Sequence, residues 1–289
     1  LLHEALPELD FRDINLGCDF FGERSASPLF ISSMTAGHTG SLDLNLILAR
    51  VAERRGWCLG VGSQRRELFD STAHQEWIRI RKACPDVLLM GNIGLSQIIR
   101  TKPSEIQRLV EAMQAVAIFV HTNPLQECLQ PEGTPLFKGG YEALEALVKC
   151  LGVPVVLKET GCGFSKKTLS RLVGIGLSAV DISGLGGTHW GRIEGARSPR
   201  NSVLERAAVT FQNWGSSTVA SMLAAHVLDT DYAVWASGGV RSGLDAAKLF
   251  ALGAEKVGLA QPILVAAMNG DEALDFELQR LEFELKTAL

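Results

Sequence analysis

The stretch WASGGVRSGLDAAKLFALGAEKVGLAQP, residues 235–262, decides the fold. A short apolar run turns on Gly238 and Gly239, gives way to apolar residues at helical spacing, and closes on Gly253. A second apolar run, KVGLAQP, follows at once. Both runs are apolar on two faces, so each reads as a buried parallel strand rather than a half-exposed antiparallel one. The whole is a strand–helix–strand unit, the connection that parallel strands require.

Outward from this stretch the same unit repeats. PLFISSMTAG (28–37), WCLGVGSQR (57–65), VLLMGNIG (87–94), AIFVHTNPLQE (117–127), PVVLKETGCG (154–163), AVDISGLGGTHW (179–190) and YAVWASGGVR (232–241) join KVGLAQP (256–262) to make eight runs. Helix signals lie between them. Pro103 falls in the first turn of TKPSEIQRLVEAM, Ser165 is a cap for the next segment but one, and Leu278, Leu281 and Leu285 share one face of the last helix. Eight alternations predict an α/β (β/α)8 TIM barrel forming one domain over residues 1–289. The competitor is a doubly wound open sheet, which usually carries G-x-G-x-x-G after its first strand; none stands there. Residues Gly184 to Gly215 read as a long βα loop, and long ordered loops are usually functional.

Bulk properties exclude several classes. With 28 basic against 32 acidic residues the net charge is −4, so no basic field points to nucleic acid or membrane. No apolar run approaches the roughly 18 residues of a membrane span. Six cysteines are scattered without a C-x-x-C pair, which reads as free thiols in a reducing cytoplasm and argues against zinc. LLHEALPELD lacks the basic region and long apolar run of a signal peptide, and it lacks an initiating Met. Both ends are expected to be trimmed or disordered.

Barrel chemistry sits where strands end, and the polar residues collect there. Gly238 and Gly239 free backbone N–H groups to approach an anion, Arg241 suits phosphate oxygens, and the eighth run ends at Ala260-Gln261-Pro262. A tight turn alone would also ask for those glycines. SSMTAG offers small and hydroxyl groups where a flat ring could lie, Asn92 an amide, Lys158 a cation, and Ser183 and Thr188 hydroxyls. An amide and a cation suit the polar edge of a flavin, although Lys158 could simply pair with Glu159. Together these tips fit flavin mononucleotide (FMN). On the remaining side, Ser63, Gln64 and Arg65 supply donors for an anionic substrate, and His121 and Asn123 add two more. Glu127 is a carboxylate that could share Mg²⁺ with diphosphate oxygens. Plainer readings are a core histidine at 121 and a solvated loop charge at 127.

In order, SSMTAG, GSQR, GNIGLSQ, HTNPLQE, LKETGCG, DISGLGGTHWGRIEGAR and ASGGVRSGLDAAKLFALGA make the sequence resemble the type 2, flavin-dependent isopentenyl-diphosphate isomerases from about Leu2 to the last helix. The resemblance implies that Ser33, Met34, Thr35, Ser63, Asn92, Lys158, Ser183 and Thr188 contact FMN. It implies that Gly239, Val240, Arg241, Ala260 and Gln261 hold the FMN phosphate. Ser63, Gln64, Arg65 and Gln126 would bind substrate, Gln126, His121 and Asn123 would be catalytic, and Glu127 would ligate Mg²⁺. It further implies isoprenoid biosynthesis, NADPH as reductant, and a tetramer or octamer. The family carries an Arg-Lys pair a little before the position of Leu2, which this sequence does not show. Two rivals remain. A 2-hydroxy-acid oxidase or dehydrogenase would use a His closely followed by Arg, and His189 and Arg192 stand three apart. A non-catalytic flavin-binding regulator would need no metal carboxylate beside the ring.

Overall fold

The computed structural model describes residues 1–35 and 40–289. The SSMTAG tip is therefore described as far as Thr35, and its Ala36 and Gly37 lie outside the described residues. A short antiparallel hairpin comes first, β1 (Cys18–Phe20) and β2 (Glu23–Ser25). Eight parallel strands follow: β3 (Leu29–Ile31), β4 (Cys58–Gly60), β5 (Leu88–Gly94), β6 (Ala117–Thr122), β7 (Val155–Glu159), β8 (Ala179–Asp181), β9 (Ala233–Ala236) and β10 (Lys256–Leu259). They close in sequence order, with β10 pairing back onto β3. The barrel is the one expected from the eight apolar runs, and every strand falls within its run.

Side chains alternate across each strand, and the two faces divide the core. Outward residues such as Leu29, Ile31, Leu89, Ile118, Val120, Val155, Leu157, Val180 and Val257 pack against the surrounding helices. Inward, Phe30, Cys58, Met90, Phe119, Val156, Ala179 and Trp235 fill the barrel, with Phe20 of the hairpin added at 5.5 Å from Trp235. Two residues further along each strand the inward position changes character. Phe30 is succeeded by Ser32, Cys58 by Gly60, Met90 by Asn92, Phe119 by His121, Val156 by Lys158, Ala179 by Asp181 and Trp235 by Ser237. A period of two thus builds an apolar floor and a small, polar layer above it at the C-terminal mouth.

The helices form for the local reasons read from sequence. Pro103 opens Pro103–Met113, Ser165 Oγ accepts the Thr168 N–H at the start of Lys166–Leu172, and Asp271–Ala288 buries Leu274, Leu278, Leu281 and Leu285 completely. Burying each such leucine is worth about 1.5–3 kcal/mol. Gly243 lies against that last helix: a Cβ there would come within 2.3 Å of Leu285 N.

The segment 184–215 is not one loop. It contains the helices Trp190–Arg197 and Val203–Thr210, started by His189 Nδ1 accepting the Arg192 N–H at 3.1 Å and by Ser202 Oγ accepting the Glu205 N–H at 3.2 Å. Gly195 lets the two helices touch, since a Cβ there would lie 2.3 Å from Ala208 Cβ. Among the described residues no helix is long and apolar enough to cross a membrane.

Candidate functional site

Strand register puts His121 beside Lys158 and Lys158 beside Asp181 in the polar layer. Lys158 Nζ lies 2.5 Å from Asp181 Oδ2 and donates to Ser237 Oγ at 2.9 Å, while Ser237 Oγ donates to Asp181 Oδ1 at 2.7 Å. Lys158 is 3% exposed and Asp181 is fully buried. Two charges so far from water persist only because each satisfies the other. The partner is not Glu159, whose side chain points to the opposite face. There Oε2 of Glu159 accepts the N–H groups of Gly161, Cys162 and Gly163 at 2.7, 2.5 and 2.9 Å.

Above this layer two cavities meet. The narrower, about 230 Å³, is lined by Ser32, Ser33, Met34, Lys158, Ser183, Thr188, Gly239, Val240, Arg241, Ala260 and Gln261 among others. The wider, about 740 Å³, is lined by Ser63, Arg65, Asn92, Gln97, His121, Gln126, Glu127, Glu132, Glu194 and Arg197 among others. Ser33, Met34, Thr160 and Trp190 belong to both walls. Of the residues expected around a ring and its phosphate, all but Thr35, Ser63 and Asn92 line the narrower cavity; Ser63 and Asn92 line the wider one, together with Arg65, His121, Gln126 and Glu127.

At the narrow end two glycine-bearing loops close on one another. Gly238 and Gly239 have φ of 94° and 84°, in the left-handed region, and a Cβ on Gly187 would sit 2.8 Å from Gly239 N. The helix after β10, Gln261–Ala267, brings Gln261 and Leu264 to the cavity wall. The helix Gly243–Ala251, which follows the Gly238-Gly239 turn, has its first donors taken. Gly243 N–H goes to Glu284 Oε2 at 2.8 Å and Asp245 N–H to Ser242 Oγ at 3.0 Å. Ser32 and Ser33 hydroxyls are buried with no partner among the described residues. Orphaned hydroxyls, a glycine cradle and a rim cation fit a flat, polar-edged ring with a phosphate tail.

In the wider cavity His121 Nδ1 lies 2.6 Å from Asn92 Oδ1. Burial, with Lys158 adding to it, holds the His121 pKa down at about 4. The imidazole is therefore neutral near pH 7, donating from Nδ1 and keeping Nε2 as an acceptor. Glu127 Oε2 accepts the Thr134 N–H at 2.5 Å. Among the described residues no three His, Cys, Asp or Glu side chains cluster to hold a metal, so an ion at Glu127 would need oxygens from its ligand.

Three expected residues stand off both walls. Gln64 is 1% exposed, with Oε1 on the Asn92 N–H and Nε2 on Glu67. Asn123 is 2% exposed and caps the helix Pro124–Leu129, its Oδ1 accepting the Gln126 N–H at 3.0 Å and its Nδ2 donating to Thr160 Oγ1 at 3.1 Å. Thr35 Oγ1 donates to Asn45 Oδ1. Their polarity serves the scaffold in this structure.

Sequence reading also missed residues. Trp190, Glu194 and Arg197 reach the wall from the helix that was read as loop. Glu194 is 1% exposed; burial lifts its carboxyl pKa, Arg197 at 2.8 Å opposes the lift, and Glu132 adds to it. A tryptophan and a glutamate four apart on one helical face was the available signal. Neither His189 nor Arg192 faces the cavities as an oxidase pair would. His189 is 3% exposed, with Nδ1 capping its helix and Nε2 on Trp214 O at 3.2 Å, and Arg192 bonds Gln212 O and Asn213 Oδ1.

Fold and family together define a (β/α)8 barrel of the flavoenzyme class: the family described as FMN-dependent dehydrogenase matches residues 101–289. Solved structures of the same fold include an active chimera of (S)-mandelate dehydrogenase, with a TM-score of 0.70 at 18% identity covering 99% of this chain and 82% of that one. Another is mandelate oxidase, with a TM-score of 0.64 at 20% identity covering 98% and 81%. Closer in sequence are proteins named isopentenyl-diphosphate delta-isomerase. That of Bdellovibrio bacteriovorus is 55% identical over all of this chain and 84% of its own length. That of Legionella pneumophila (strain Corby) is 52% identical over the same shares, and that of Methanoregula boonei is 41% identical over all of this chain and 81% of its own. The chain belongs to the isopentenyl-diphosphate delta-isomerase family, in its flavin-associated type 2 form.

Proposed function

We propose that this protein interconverts isopentenyl diphosphate and dimethylallyl diphosphate, as a step of isoprenoid biosynthesis. The observation that carries the reading is the junction of the two cavities. A cradle suited to a flavin phosphate and ring opens at Ser33, Met34 and Trp190 onto a chamber holding Arg65, His121, Gln126, Glu127 and Glu194. The reaction adds one proton at the terminal methylene and removes another from the allylic methylene on the other side of the tertiary alkene carbon. When bound and reduced, FMN supplies an electron-rich ring against which developing positive charge is stabilised.

The chain's own groups divide the remaining work. Lys158, fixed by Asp181 and Ser237, presents positive charge at the ring edge. Gly239, Val240, Arg241, Ala260 and Gln261 hold the phosphate end, and Ser183 and Thr188 supply hydroxyls between. Ser63 and Arg65 face the substrate anion. Glu127 would hold Mg²⁺ jointly with diphosphate oxygens. Gln126 hydrogen-bonds Glu194, whose raised pKa lets its carboxyl hold a proton closer to neutrality than an exposed glutamate does. Neutral His121 can accept a hydrogen bond at Nε2 without adding positive charge beside the developing cation.

Reduction by NADPH and assembly as a tetramer or octamer complete the reading. Phe211 and Trp214, whose rings are 5.6 Å apart, and exposed Val203 and Val209 offer apolar surface that a second copy could cover. All six cysteines are free thiols, which favours a reducing compartment such as the cytoplasm. The test is anaerobic incubation of purified protein with isopentenyl diphosphate, Mg²⁺ and FMN, with and without dithionite. Product only in the reduced sample supports the reading, and consumption of one reductant per product refutes it.

A further inference from the structure

β4 ends at Gly60, and its last link to β5 is Val61 N–H donating to Met90 O at 3.0 Å. The next N–H on that edge of β5, at Asn92, has no strand to pair with, and a buried unpaired N–H is costly. Gln64 Oε1 takes it at 3.1 Å, standing in for the missing strand. Gln64 Nε2 in turn donates to Glu67 Oε2 at 3.1 Å. Glu67 is 8% exposed; its Oε1 accepts the Trp77 Nε1–H at 2.9 Å, and His74 Nδ1 lies 3.3 Å from Oε2. On the cavity side Asn92 Oδ1 meets His121 Nδ1 at 2.6 Å. Hydrogen bonds therefore run from buried Glu67 through Gln64 to the Asn92 peptide, and the side chain of that same residue meets the cavity histidine.

A side-chain amide has a donor end and an acceptor end and fits a site either way round, whereas a carboxylate only accepts. Burial lifts the Glu67 pKa to about 7, and above that pH the ionised group requires Gln64 to point Nε2 at it, which leaves Oε1 for the Asn92 N–H. The β5 peptide is held in place, and with it the carboxamide that takes the Nδ1 proton of His121. We propose that Glu67 is a positioning residue: through Gln64 it fixes the Asn92 peptide, and with it the carboxamide that meets His121 Nδ1, and so keeps His121 protonated on Nδ1 with Nε2 open to the cavity. Glu67 itself touches neither cavity wall. The proposal deepens the isomerase reading and rests on it for the kinetic readout, while the imidazole readout stands independently.

Glu67→Gln, read at pH 8 where wild-type Glu67 is ionised, tests it, because the new NH₂ replaces one of two acceptor oxygens that serve Gln64 Nε2–H and Trp77 Nε1–H. Two donors then confront each other at one of those contacts, or Gln64 turns and presents NH₂ to the Asn92 N–H. The swap variant, Glu67→Gln with Gln64→Glu, restores a complementary pair: the new amide donates to the new carboxylate, and that carboxylate also accepts the Asn92 N–H. The readouts are imidazole ¹⁵N shifts in protein labelled at histidine, with His121 assigned by its loss in His121→Gln, and kcat for the isomerisation. Wild type should show the single Nδ1–H form. Glu67→Gln should mix the two tautomers and lower kcat by roughly tenfold, the equivalent of one lost hydrogen bond of this kind, with KM less affected. The swap should return both readouts toward wild type. A Glu67→Gln variant with an unchanged tautomer and kcat, or a swap no better than the single variant, overturns the proposal. If Glu67→Gln does not fold, the swap decides alone, since the proposal requires it to fold with the wild-type tautomer. Loss of isomerase activity in wild type itself would sink the functional reading and leave the tautomer result to judge Glu67.

Discussion

Lys158→Met separates what Lys158 does for the fold from what it does for the ring. Asp181 is fully buried, and Lys158 is its only cationic partner among the described residues, at 2.5 Å; Ser237 Oγ and the Ser183 N–H at 3.3 Å are further donors to it. Removing one member of a buried pair strands the other charge, at a cost of about 3–5 kcal/mol. The same change deletes one charge-assisted contact to a bound flavin, worth about 1.5–3 kcal/mol, or roughly tenfold to a hundredfold in affinity. Stability alone cannot tell these apart, so the companion is Lys158→Met with Asp181→Asn, which removes the stranded charge. Urea unfolding of flavin-free protein, at one fixed protein concentration, should show the single variant losing the larger amount and the double variant recovering most of it. Flavin titration should show both variants weakened to a similar extent. A double variant no more stable than the single one would refute the buried-pair argument. A double variant that binds flavin as wild type does would refute the role at the ring edge.

The remaining expectations follow from single features of the site. Glu127→Gln keeps size and helix but removes the charge that would share the ion, so Mg²⁺ stimulation should vanish while flavin affinity stays; loss of flavin as well would contradict the division between the cavities. Gly239→Ala forces a side chain at φ 84° and within 2.7 Å of Gly186 O, and should weaken flavin binding at least roughly tenfold, equivalent to about 1.4 kcal/mol. Gly174→Ala, at φ 85° with nothing within 4 Å, carries the same backbone strain away from the site and should leave flavin titration unchanged. His121 has a folded pKa of about 4 against an ordinary value of 6.5, so its contribution to stability is complete above pH 6.5 and is lost as pH falls toward 4. Unfolding measured between pH 4 and 8 should therefore steepen more in wild type than in His121→Gln, and equal slopes would contradict the depressed pKa.

The strands were legible because a parallel barrel buries both faces of each strand, which leaves unbroken apolar runs in the sequence. The mouth was legible because polar residues end those runs, and period-two counting explains why Asn92, His121 and Lys158 all point inward. The segment 184–215 was harder. Gly191 and Gly195 in WGRIEGAR look like helix breakers, yet they serve packing: a Cβ on Gly191 would approach Leu125 Cδ2 to 2.9 Å, and one on Gly195 would meet Ala208. Glu194 and Arg197 were lost with that helix. The partner of Lys158 was hidden for a different reason. Neighbours in sequence point to opposite faces of a strand, so Glu159, the plainer alternative, turns away, and Asp181 becomes visible only once strand register is known. Gln64 and Asn123 show the converse, in which polar side chains at strand ends complete the backbone's hydrogen bonds and leave the cavity wall to others.

The central claim is that a flavin barrel here performs an isomerisation with no net redox change. Its most direct test follows isopentenyl diphosphate and NADPH together, anaerobically, in one reaction of the FMN-loaded protein with Mg²⁺. The account predicts many turnovers to dimethylallyl diphosphate after NADPH oxidation has stopped at about one equivalent of flavin. NADPH oxidation that keeps pace with product, or turnover by the oxidised protein at the same rate, would contradict it.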